Sequence, residues 1–128
     1  MSNKKNNPEI RVKVKDAIEL ISEIFQAKAC SDYEAKTIAE RLCGSNLKGH
    51  DSHGIVRVPR YVEWMERAWV FPNIESELVI DAGALACLDA KQGFGQVAGE
   101  RAVDEGIARA KKHGVSVVGL KNSGHLGR

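Results

Sequence analysis

The hydrophobic pattern of this chain changes its period at residues 71–73, Phe-Pro-Asn, and this change limits the possible fold more than any other feature. Before it, apolar residues recur three and four positions apart, as in amphipathic helices. After it, short apolar runs alternate with turn residues, as in strands, and one helical segment at 96–112 interrupts them. The pattern predicts three helices followed by a β-β-α-β order, which is a mixed α/β or α+β fold. We expect a helical domain at residues 1–75 and the first part of a mixed-sheet β/α domain at residues 76–128.

The helical half carries start signals for three helices. Asp16 is a candidate N-cap for the first, and residues 10–15, which alternate apolar and charged, predict a short strand or an extended lead-in. Ser31 and Glu34 have the capping-box spacing that opens a second helix, and Pro59 suits the first turn of a third. Four apolar residues of the second helix are expected to be buried: Ala35, Ile38, Ala39 and Leu42.

The second half carries strand and turn signals. Residues 77–80 and 84–88 are short apolar runs joined by a glycine-containing turn, which predicts a β-hairpin. Residues 115–120 predict a third strand, and the helix before it should end at Gly114. The apolar face of that helix is expected to consist of Val97, Ala98, Ala102, Val103, Ile107 and Ala110.

A glycine-rich stretch, residues 93–99 (G-F-G-Q-V-A-G), follows a strand and opens a helix, which is the position of a phosphate-binding loop. Its glycine spacing is one residue longer than the dinucleotide fingerprint, and three residues separate it from the preceding strand. The next strand ends in Leu120-Lys121 and offers no acidic residue to a ribose. A connecting loop whose glycines permit positive φ is therefore favoured over a Rossmann phosphate loop.

The composition is that of a soluble globular domain, with 128 residues of which 43% are hydrophobic and 28% charged. The net charge is +2 and both signs are interspersed, which argues against a nucleic-acid partner. No apolar run approaches the ~20 residues that span a bilayer and no secretory signal is visible, so we expect a cytoplasmic location without a membrane partner. The three cysteines, Cys30, Cys43 and Cys87, are expected to be reduced and mostly buried.

The segment with the most chemical content is residues 48–61, K-G-H-D-S-H-G-I-V-R-V-P-R-Y. His50, Asp51 and His53 are metal ligands by type, but they crowd an irregular segment and no further cluster completes a coordination shell, so we expect no metal. A capped turn before a helix, with an exposed arginine, is the structural alternative. The pattern alone does not separate that alternative from an active site.

An acid/base site that binds a carboxylate is the functional alternative for the same segment. His53 can exchange a proton near neutral pH, and Ser52 can orient its ring or hydrogen-bond a substrate. Arg57 can donate two parallel hydrogen bonds to a carboxylate. If a helix begins near Gly54, then His53, Arg57 and Tyr61 share one helical face and line one wall of a pocket.

Three blocks of the sequence together resemble the malate/L-lactate dehydrogenase family of the non-Rossmann type, which includes L-sulfolactate, ureidoglycolate and 2,3-diketogulonate oxidoreductases. They are residues 51–64 (D-S-H-G-I-V-R-V-P-R-Y-V-E-W), 88–102 (L-D-A-K-Q-G-F-G-Q-V-A-G-E-R-A) and 113–128 (H-G-V-S-V-V-G-L-K-N-S-G-H-L-G-R). In the second block, Ala90 stands where the family usually has a glycine. The resemblance covers nearly all of residues 11–128 in the family's order, and it favours the acid/base interpretation of the first block.

The resemblance implies an activity and roles for individual residues. The activity is hydride transfer between NAD or NADP and the carbon that bears the 2-oxo or 2-hydroxy group of a small carboxylic acid. His53 and His125 are then the two candidates for proton transfer, with Ser52 beside His53. Arg57 would bind the substrate carboxylate, and Tyr61 would lie close by.

Because the family's chains are more than twice this length, the resemblance predicts an N-terminal fragment with an incomplete version of the family fold. Most cofactor contacts would lie beyond residue 128, the fragment alone would be inactive, and the full-length protein would be a homodimer. Two alternatives come from other classes: a non-catalytic binding or dimerisation remnant of the family, and a small metal hydrolase built on His-Asp-Ser-His. In-frame coding sequence past codon 128 would favour the truncated enzyme over the remnant, and bound metal would favour the hydrolase.

Overall fold

The structure is a computed structural model, and it describes residues 10–127. The helices are α1 (Val14–Gln26), α2 (Asp32–Leu47), α3 (Val58–Glu66) and α4 (Gly95–His113), and the strands are β1 (Glu77–Ala82), β2 (Leu85–Asp89) and β3 (Val117–Lys121). Two 3-10 turns, Asp51–His53 and Ile55–Arg57, lie between α2 and α3. Within the described range, no helix is both long enough and apolar enough to span a bilayer. The predicted element order and the mixed α+β class are confirmed.

The start of α1 differs from the prediction. The helix begins at Val14 with Lys13 as its N-cap, so the assignment of Asp16 as N-cap is wrong. Asp16 instead lies in the first turn, where a carboxylate stabilises the positive end of the helix dipole. Residues 10–13 form an exposed lead-in and no strand. Ile21 and Phe25 are buried, as the helical spacing predicts.

The capping box at the start of α2 is half formed. The hydroxyl of Ser31 accepts a hydrogen bond from the backbone N–H of Glu34 at 3.3 Å. The reciprocal bond is replaced by Asn73, whose side-chain oxygen accepts from the N–H of Ser31 and whose own N–H donates to the Glu34 carboxylate, both at 2.8 Å. Residues 71–73, where the hydrophobic period changes, therefore also contribute to the N-terminal cap of α2 through Asn73. All four predicted core residues of α2 are buried: Ala35, Ile38, Ala39 and Leu42.

The core lies between the first three helices and the start of α4. Phe25, Ile38, Leu42 and Tyr61 are almost wholly buried, and Phe94 packs with them. The Phe25 ring meets Phe94 edge-on with 5.8 Å between centroids. Complete burial of one such side chain contributes about 1.5–3 kcal/mol. Of the free cysteines, Cys30 and Cys43 are buried and Cys87 is partly buried, which agrees with the prediction.

The sheet is mixed and has the order β1-β2-β3. β1 and β2 form the predicted antiparallel hairpin, in which Ala82 pairs with Leu85 and the turn contains Gly83 at φ +66°. β2 and β3 are parallel, with Leu85 opposite Val117. α4 is the crossover that a parallel connection requires, and Gly114 ends it in the left-handed conformation as predicted.

α4 covers one face of the sheet in a rotation that differs from the prediction. Ala98 is buried, but Val103 and Ile107 are exposed, so the predicted apolar face is only partly correct. Arg109 is buried instead: its guanidinium donates to the carbonyl of Gly83 at 2.5 Å and pairs with Asp81 at 2.8 Å. An interaction with the hairpin turn thus determines which side of the helix faces the sheet.

The other face of the sheet is apolar and uncovered by the described residues. Ile80 is 54% exposed, Leu85 53% and Val117 62%. Leu85 pairs with Val117, and Ile80 pairs with Cys87, which lies two positions after Leu85, so all four lie on the same side. β3 forms one edge of this sheet.

Candidate active site

The histidine segment is held in place by the end of α2. Asn46 accepts a hydrogen bond from the N–H of Ile55 at 2.8 Å and donates one to the carboxylate of Asp51 at 2.7 Å. A Cβ added to Gly54 would lie 2.1 Å from the Asn46 oxygen, so a larger residue there would displace the Asn46 side chain and its two hydrogen bonds. The helix begins at Val58 and not near Gly54. The predicted single helical face is therefore wrong for His53, which occupies a separate 3-10 turn.

Ser52 and Arg57 lie beside His53 despite that difference. The Ser52 hydroxyl is 3.0 Å from Nδ1 of His53, so it can orient the ring. The Arg57 Nε donates to the backbone carbonyl of Ser52 at 2.6 Å. In the part of the chain that the structure describes, the terminal nitrogens of Arg57 form no salt bridge, which leaves them open to a ligand carboxylate.

Tyr61 connects this segment to the loop after β3. Its side chain is 1% exposed, and its ring stacks on Trp64 at 5.3 Å between centroids. Its hydroxyl is 2.8 Å from Nδ1 of His125, which is 64 residues away in sequence. The fold thus brings the first and third sequence blocks into direct contact.

The glycine-rich stretch holds the His125 loop. The N–H of Gly124 donates to the carbonyl of Gly93 at 2.9 Å. A Cβ on Gly95 would lie 2.5 Å from the carbonyl carbon of His125, so backbone fills the space beside this glycine. That space is not open to a phosphate, which agrees with the sequence argument against a Rossmann phosphate loop.

The two candidate proton carriers face each other. The rings of His53 and His125 have centroids 5.1 Å apart and an interplanar angle of 32°. The His53 ring also packs against that of His50, with 4.0 Å between the two centroids. Five residues predicted from the sequence therefore form one cluster: Ser52, His53, Arg57, Tyr61 and His125.

Both histidines favour the neutral form. Desolvation lowers the pKa of His53, and the nearby charges of His50 and Arg57 lower it further. Desolvation also lowers the pKa of His125, again with help from Arg57 and His53. Burial raises the pKa of the Tyr61 hydroxyl. Near pH 7 the cluster therefore offers neutral imidazoles, which can accept a proton, beside a cation that can bind an anion.

The residues that suggested a metal have structural contacts of their own. The carboxylate of Asp51 accepts from Asn46, and His50 packs on His53. Among residues 10–127, no group of three or more histidine, cysteine, aspartate or glutamate side chains is arranged to hold a metal ion.

Gln96 belongs to the cluster and was missed by the sequence argument. It is 4% exposed, its Nε2 donates to the Tyr61 hydroxyl at 2.6 Å, and its Oε1 is buried without a partner. The sequence carried a signal for it, because Gln96 follows the second glycine of the G-F-G-Q block. The glycines of that block indicate a loop, and they do not indicate that the side chain of Gln96, in the first turn of α4, is directed to Tyr61.

A cleft of about 510 Å³ lies beside the histidine cluster and not over it. It is lined by Arg41, Gln96, Gly99, Glu100, Val103, Asp104 and Leu126. Gln96 is the residue common to the cleft and the cluster. We regard the cluster as the candidate active site because it combines two histidines with an arginine that forms no salt bridge among the described residues, whereas the arginine of the cleft, Arg41, is paired with Glu100.

Comparison with known proteins gives consistent results. The family model described as malate/L-lactate dehydrogenase matches residues 12–128. Hydroxycarboxylate dehydrogenase B of Escherichia coli (strain K12) is 41% identical over 108 residues, which cover 84% of this chain and 30% of the relative. The structure of sulfolactate dehydrogenase from Methanocaldococcus jannaschii superposes with a TM-score of 0.89 at 31% identity, over 92% of this chain and 34% of that one. Malate dehydrogenase from Pyrococcus horikoshii OT3 gives 0.88 at 30%, over 92% and 34%. The chain spans about a third of the length of each.

Proposed function

Because the chain belongs to the malate/L-lactate dehydrogenase family, we propose that it supplies the acid/base and carboxylate-binding part of an oxidoreductase that acts on small 2-hydroxy and 2-oxo carboxylic acids. The observation that carries this proposal is the pairing of two histidine rings, with centroids 5.1 Å apart, with an arginine whose terminal nitrogens are free of ion pairs among the described residues. Oxidation of a hydroxyl group requires a base for its proton, and a 2-hydroxy acid also presents a carboxylate.

The proposed roles follow from the contacts of each residue. Arg57 binds the substrate carboxylate. Ser52 positions both Arg57 and His53, because its carbonyl accepts a hydrogen bond from Arg57 and its hydroxyl contacts His53. His53 and His125 are the candidates for the proton carrier. His125 has the better defined position, since Tyr61 holds its Nδ1 and leaves Nε2 for the substrate. Because these contacts already orient the reacting groups, less entropy is lost when the groups reach the reactive geometry.

The cofactor of the proposed reaction is NAD or NADP, which when bound supplies or takes up the hydride. The described residues fit the proton-handling half of that chemistry. Gly93 and Gly95 do not fit the phosphates, because the side chain of Ile74 and the backbone of residues 124–125 fill their space. We therefore assign no phosphate contact to Gly93 or Gly95 and propose that most cofactor contacts lie beyond residue 128.

The remaining parts of the proposal concern the whole protein. We propose that the 128-residue chain alone does not turn over, that residues 1–75 and 76–128 belong to separate domains of the longer protein, and that this protein is a cytoplasmic homodimer. Oxidation of NADH or NADPH by the purified chain with malate, lactate or sulfolactate, or with the matching 2-oxo acids, would refute the first of these statements.

The carboxylate site can be tested on the chain itself. We expect oxaloacetate and pyruvate to shift the imidazole NMR signals of His53 and His125. Arg57→Gln should weaken binding at least about tenfold, as expected for the loss of a charge-assisted hydrogen-bond pair. Arg60→Gln is the matched control, because Arg60 lies three residues further on, in the first turn of α3, and pairs with Glu63 on the surface. Equal binding by the two variants would remove Arg57 from the proposal.

The proton carrier can be identified in a complete relative. His53 and His125 should be replaced separately by Asn at the aligned positions of hydroxycarboxylate dehydrogenase B. Loss of turnover with retained substrate binding identifies the carrier. Unchanged turnover in either variant removes that histidine from the mechanism.

A further inference from the structure

Three side chains from different parts of the sequence form a continuous line of hydrogen bonds. Gln96 Nε2 lies 2.6 Å from the Tyr61 hydroxyl, and that hydroxyl lies 2.8 Å from His125 Nδ1. Gln96 and Tyr61 are 4% and 1% exposed, so water does not compete for these bonds. The other end of the Gln96 amide, Oε1, is buried without a partner.

The line has a direction, because a tyrosine hydroxyl carries a single hydrogen. When the Gln96 amide donates to Tyr61, the Tyr61 hydrogen is free to donate to His125. Nδ1 of His125 is then an acceptor, and the single hydrogen of the neutral ring lies on Nε2. In this arrangement His125 offers a donor to the substrate and cannot take up a proton at Nε2.

Turning the Gln96 amide over reverses the line. Oε1 then accepts the Tyr61 hydrogen, and Tyr61 accepts from Nδ1–H of His125. This arrangement leaves Nε2 free to accept a proton, and it also stabilises the imidazolium that results. Either orientation makes one bond to Tyr61 and leaves the other end of the amide unpaired, so the amide itself has no strong preference between them.

We propose that Gln96 is a positioning residue that acts through Tyr61 to let His125 alternate between a hydrogen donor and a proton acceptor at Nε2. An amide is suited to this role because it is uncharged and carries a donor and an acceptor of nearly the same shape. The inference rests on the proposed function for the purpose of the alternation, but not for its physical basis. It requires no residue outside the described chain.

Other groups near His125 do not supply this alternation. The His53 ring lies 5.1 Å away and the Trp64 ring 6.4 Å away, measured between centroids. Arg57 and His53 also lower the pKa of His125, but this is an electrostatic effect on its charge and not a hydrogen bond to either ring nitrogen. The bond at Nδ1 is made by Tyr61, and its direction depends on Gln96.

Two variants of Gln96 should move His125 in opposite directions. Gln96→Met removes both donor and acceptor, so the Tyr61 hydroxyl has no acceptor other than Nδ1 of His125 and keeps donating its hydrogen to that nitrogen. We expect only the Nε2–H tautomer and a pKa of His125 lower by about half a unit or more. Gln96→Glu can only accept when ionised, so we expect the Nδ1–H tautomer at pH 8 and a pKa higher by about one unit or more.

The measurement is made on the 128-residue chain labelled with nitrogen-15 at histidine. Long-range proton–nitrogen NMR spectra report the tautomer, and a pH titration reports the pKa, without substrate or cofactor. If Gln96 only fills space, the two variants should leave the tautomer ratio and the pKa of His125 unchanged or should shift them in the same direction. Either result overturns the proposal. If Gln96→Glu does not fold, the Gln96→Met result decides: an unchanged tautomer ratio and pKa in a folded variant refute it.

The outcome is independent of the proposed function. If the tautomer responds as expected but Arg57→Gln binds 2-oxo acids normally, the hydrogen-bond line is real and the carboxylate assignment is wrong. If binding depends on Arg57 and the tautomer does not respond, the reverse holds. In a complete relative, the aligned Met variant should lower kcat more than it raises KM, since it affects proton transfer and not carboxylate binding.

Discussion

The hydroxyl of Tyr61 is the most constrained polar group of the site, since it is buried and contacts both Gln96 and His125. Its ring belongs to the core and its oxygen belongs to the site. Substitution therefore separates the two contributions, because phenylalanine keeps the ring and removes the oxygen.

We predict that Tyr61→Phe lowers the free energy of unfolding by about 1–3 kcal/mol, the usual cost of leaving buried polar groups unpaired. Tyr33→Phe is the matched control, because Tyr33 is 62% exposed and its hydroxyl bonds Glu100 on the surface. Urea unfolding of both variants measures the difference. Similar losses in the two would show that the buried line contributes no more than a surface bond.

The histidines make stability depend on pH in a defined direction. The pKa of His125 is lowered below its ordinary value of 6.5 in the folded chain. Below pH 6.5 the unfolded chain binds the proton first, so stability is fully present above that value and falls as the pH drops through the window below it.

We therefore predict that His125→Gln flattens the pH dependence of the urea midpoint between pH 7.5 and 5. The wild-type midpoint should fall over this range because the folded ring resists protonation. His113→Gln is the control, since His113 is exposed at the end of α4. An equally steep dependence in His125→Gln would contradict the assignment of this effect to His125.

At the scale of single residues, the sequence predicted which side chains meet but not what joins them. Ser52, His53, Arg57 and His125 were predicted from residue type and from resemblance, and the structure places them together. Their roles stay predictions. Gln96 could not be predicted as their partner, because its contact to Tyr61 depends on how α4 begins against the His125 loop, a tertiary detail that spacing does not encode.

Among the elements, the join between α2 and the segment before β1 has an unusual construction. Asn73 adopts φ +59°, donates its side-chain amide to the carbonyl of Ala29 at 2.6 Å, and accepts from the N–H of Ser31. Its backbone N–H donates to Glu34, a buried carboxyl whose pKa is raised by desolvation. One residue thus replaces half of the capping box.

We predict that Asn73→Ala destabilises the chain by about 1–3 kcal/mol, because it removes two side-chain hydrogen bonds and because alanine tolerates positive φ less well than asparagine does. Asn73→Gly removes the same bonds but accepts the backbone conformation, so it should lose less. Thermal unfolding of the two variants separates the terms. A glycine variant as unstable as the alanine variant would assign the whole effect to the hydrogen bonds.

Element types were predictable because each has a clear period, and element ends were less so. The hairpin, the end of α4 and the buried face of α2 match the sequence prediction. The start of α1 and the rotation of α4 do not. Helix propensity does not define the first turn of α1 sharply. Arg109 is buried because it bonds to the hairpin turn, whereas hydrophobic periodicity places an arginine on the surface.

At the scale of the whole molecule, the uncovered sheet face is the main open feature. Ile80, Leu85 and Val117 lie side by side on it, and β3 is at the edge. Exposed apolar faces and free edges favour association. The strand that the sequence predicted at residues 115–120 is β3, and it lies at this edge.

We predict that the apparent molecular mass of the 128-residue chain rises with concentration in sedimentation experiments. Val117→Lys should reduce this association by placing a charge on the sheet face. Val115→Lys is the matched control, since Val115 is equally exposed but precedes the strand. Equal reduction by both variants would indicate a general effect of charge and not a contact at this face.

The hydrogen bond between Tyr61 and His125 also has a kinetic meaning. It joins residues 64 positions apart, and His125 comes shortly after β3, whose parallel pairing with β2 requires α4 as the crossover. Contacts between distant positions form late in folding, after the local helices. During synthesis, His125 is added after both Tyr61 and Gln96, so the hydrogen bond between Tyr61 and His125 cannot form before that point. The imidazole NMR signal of His125 should be among the last to reach its native chemical shift during refolding, so it can serve as a probe for completion of the fold.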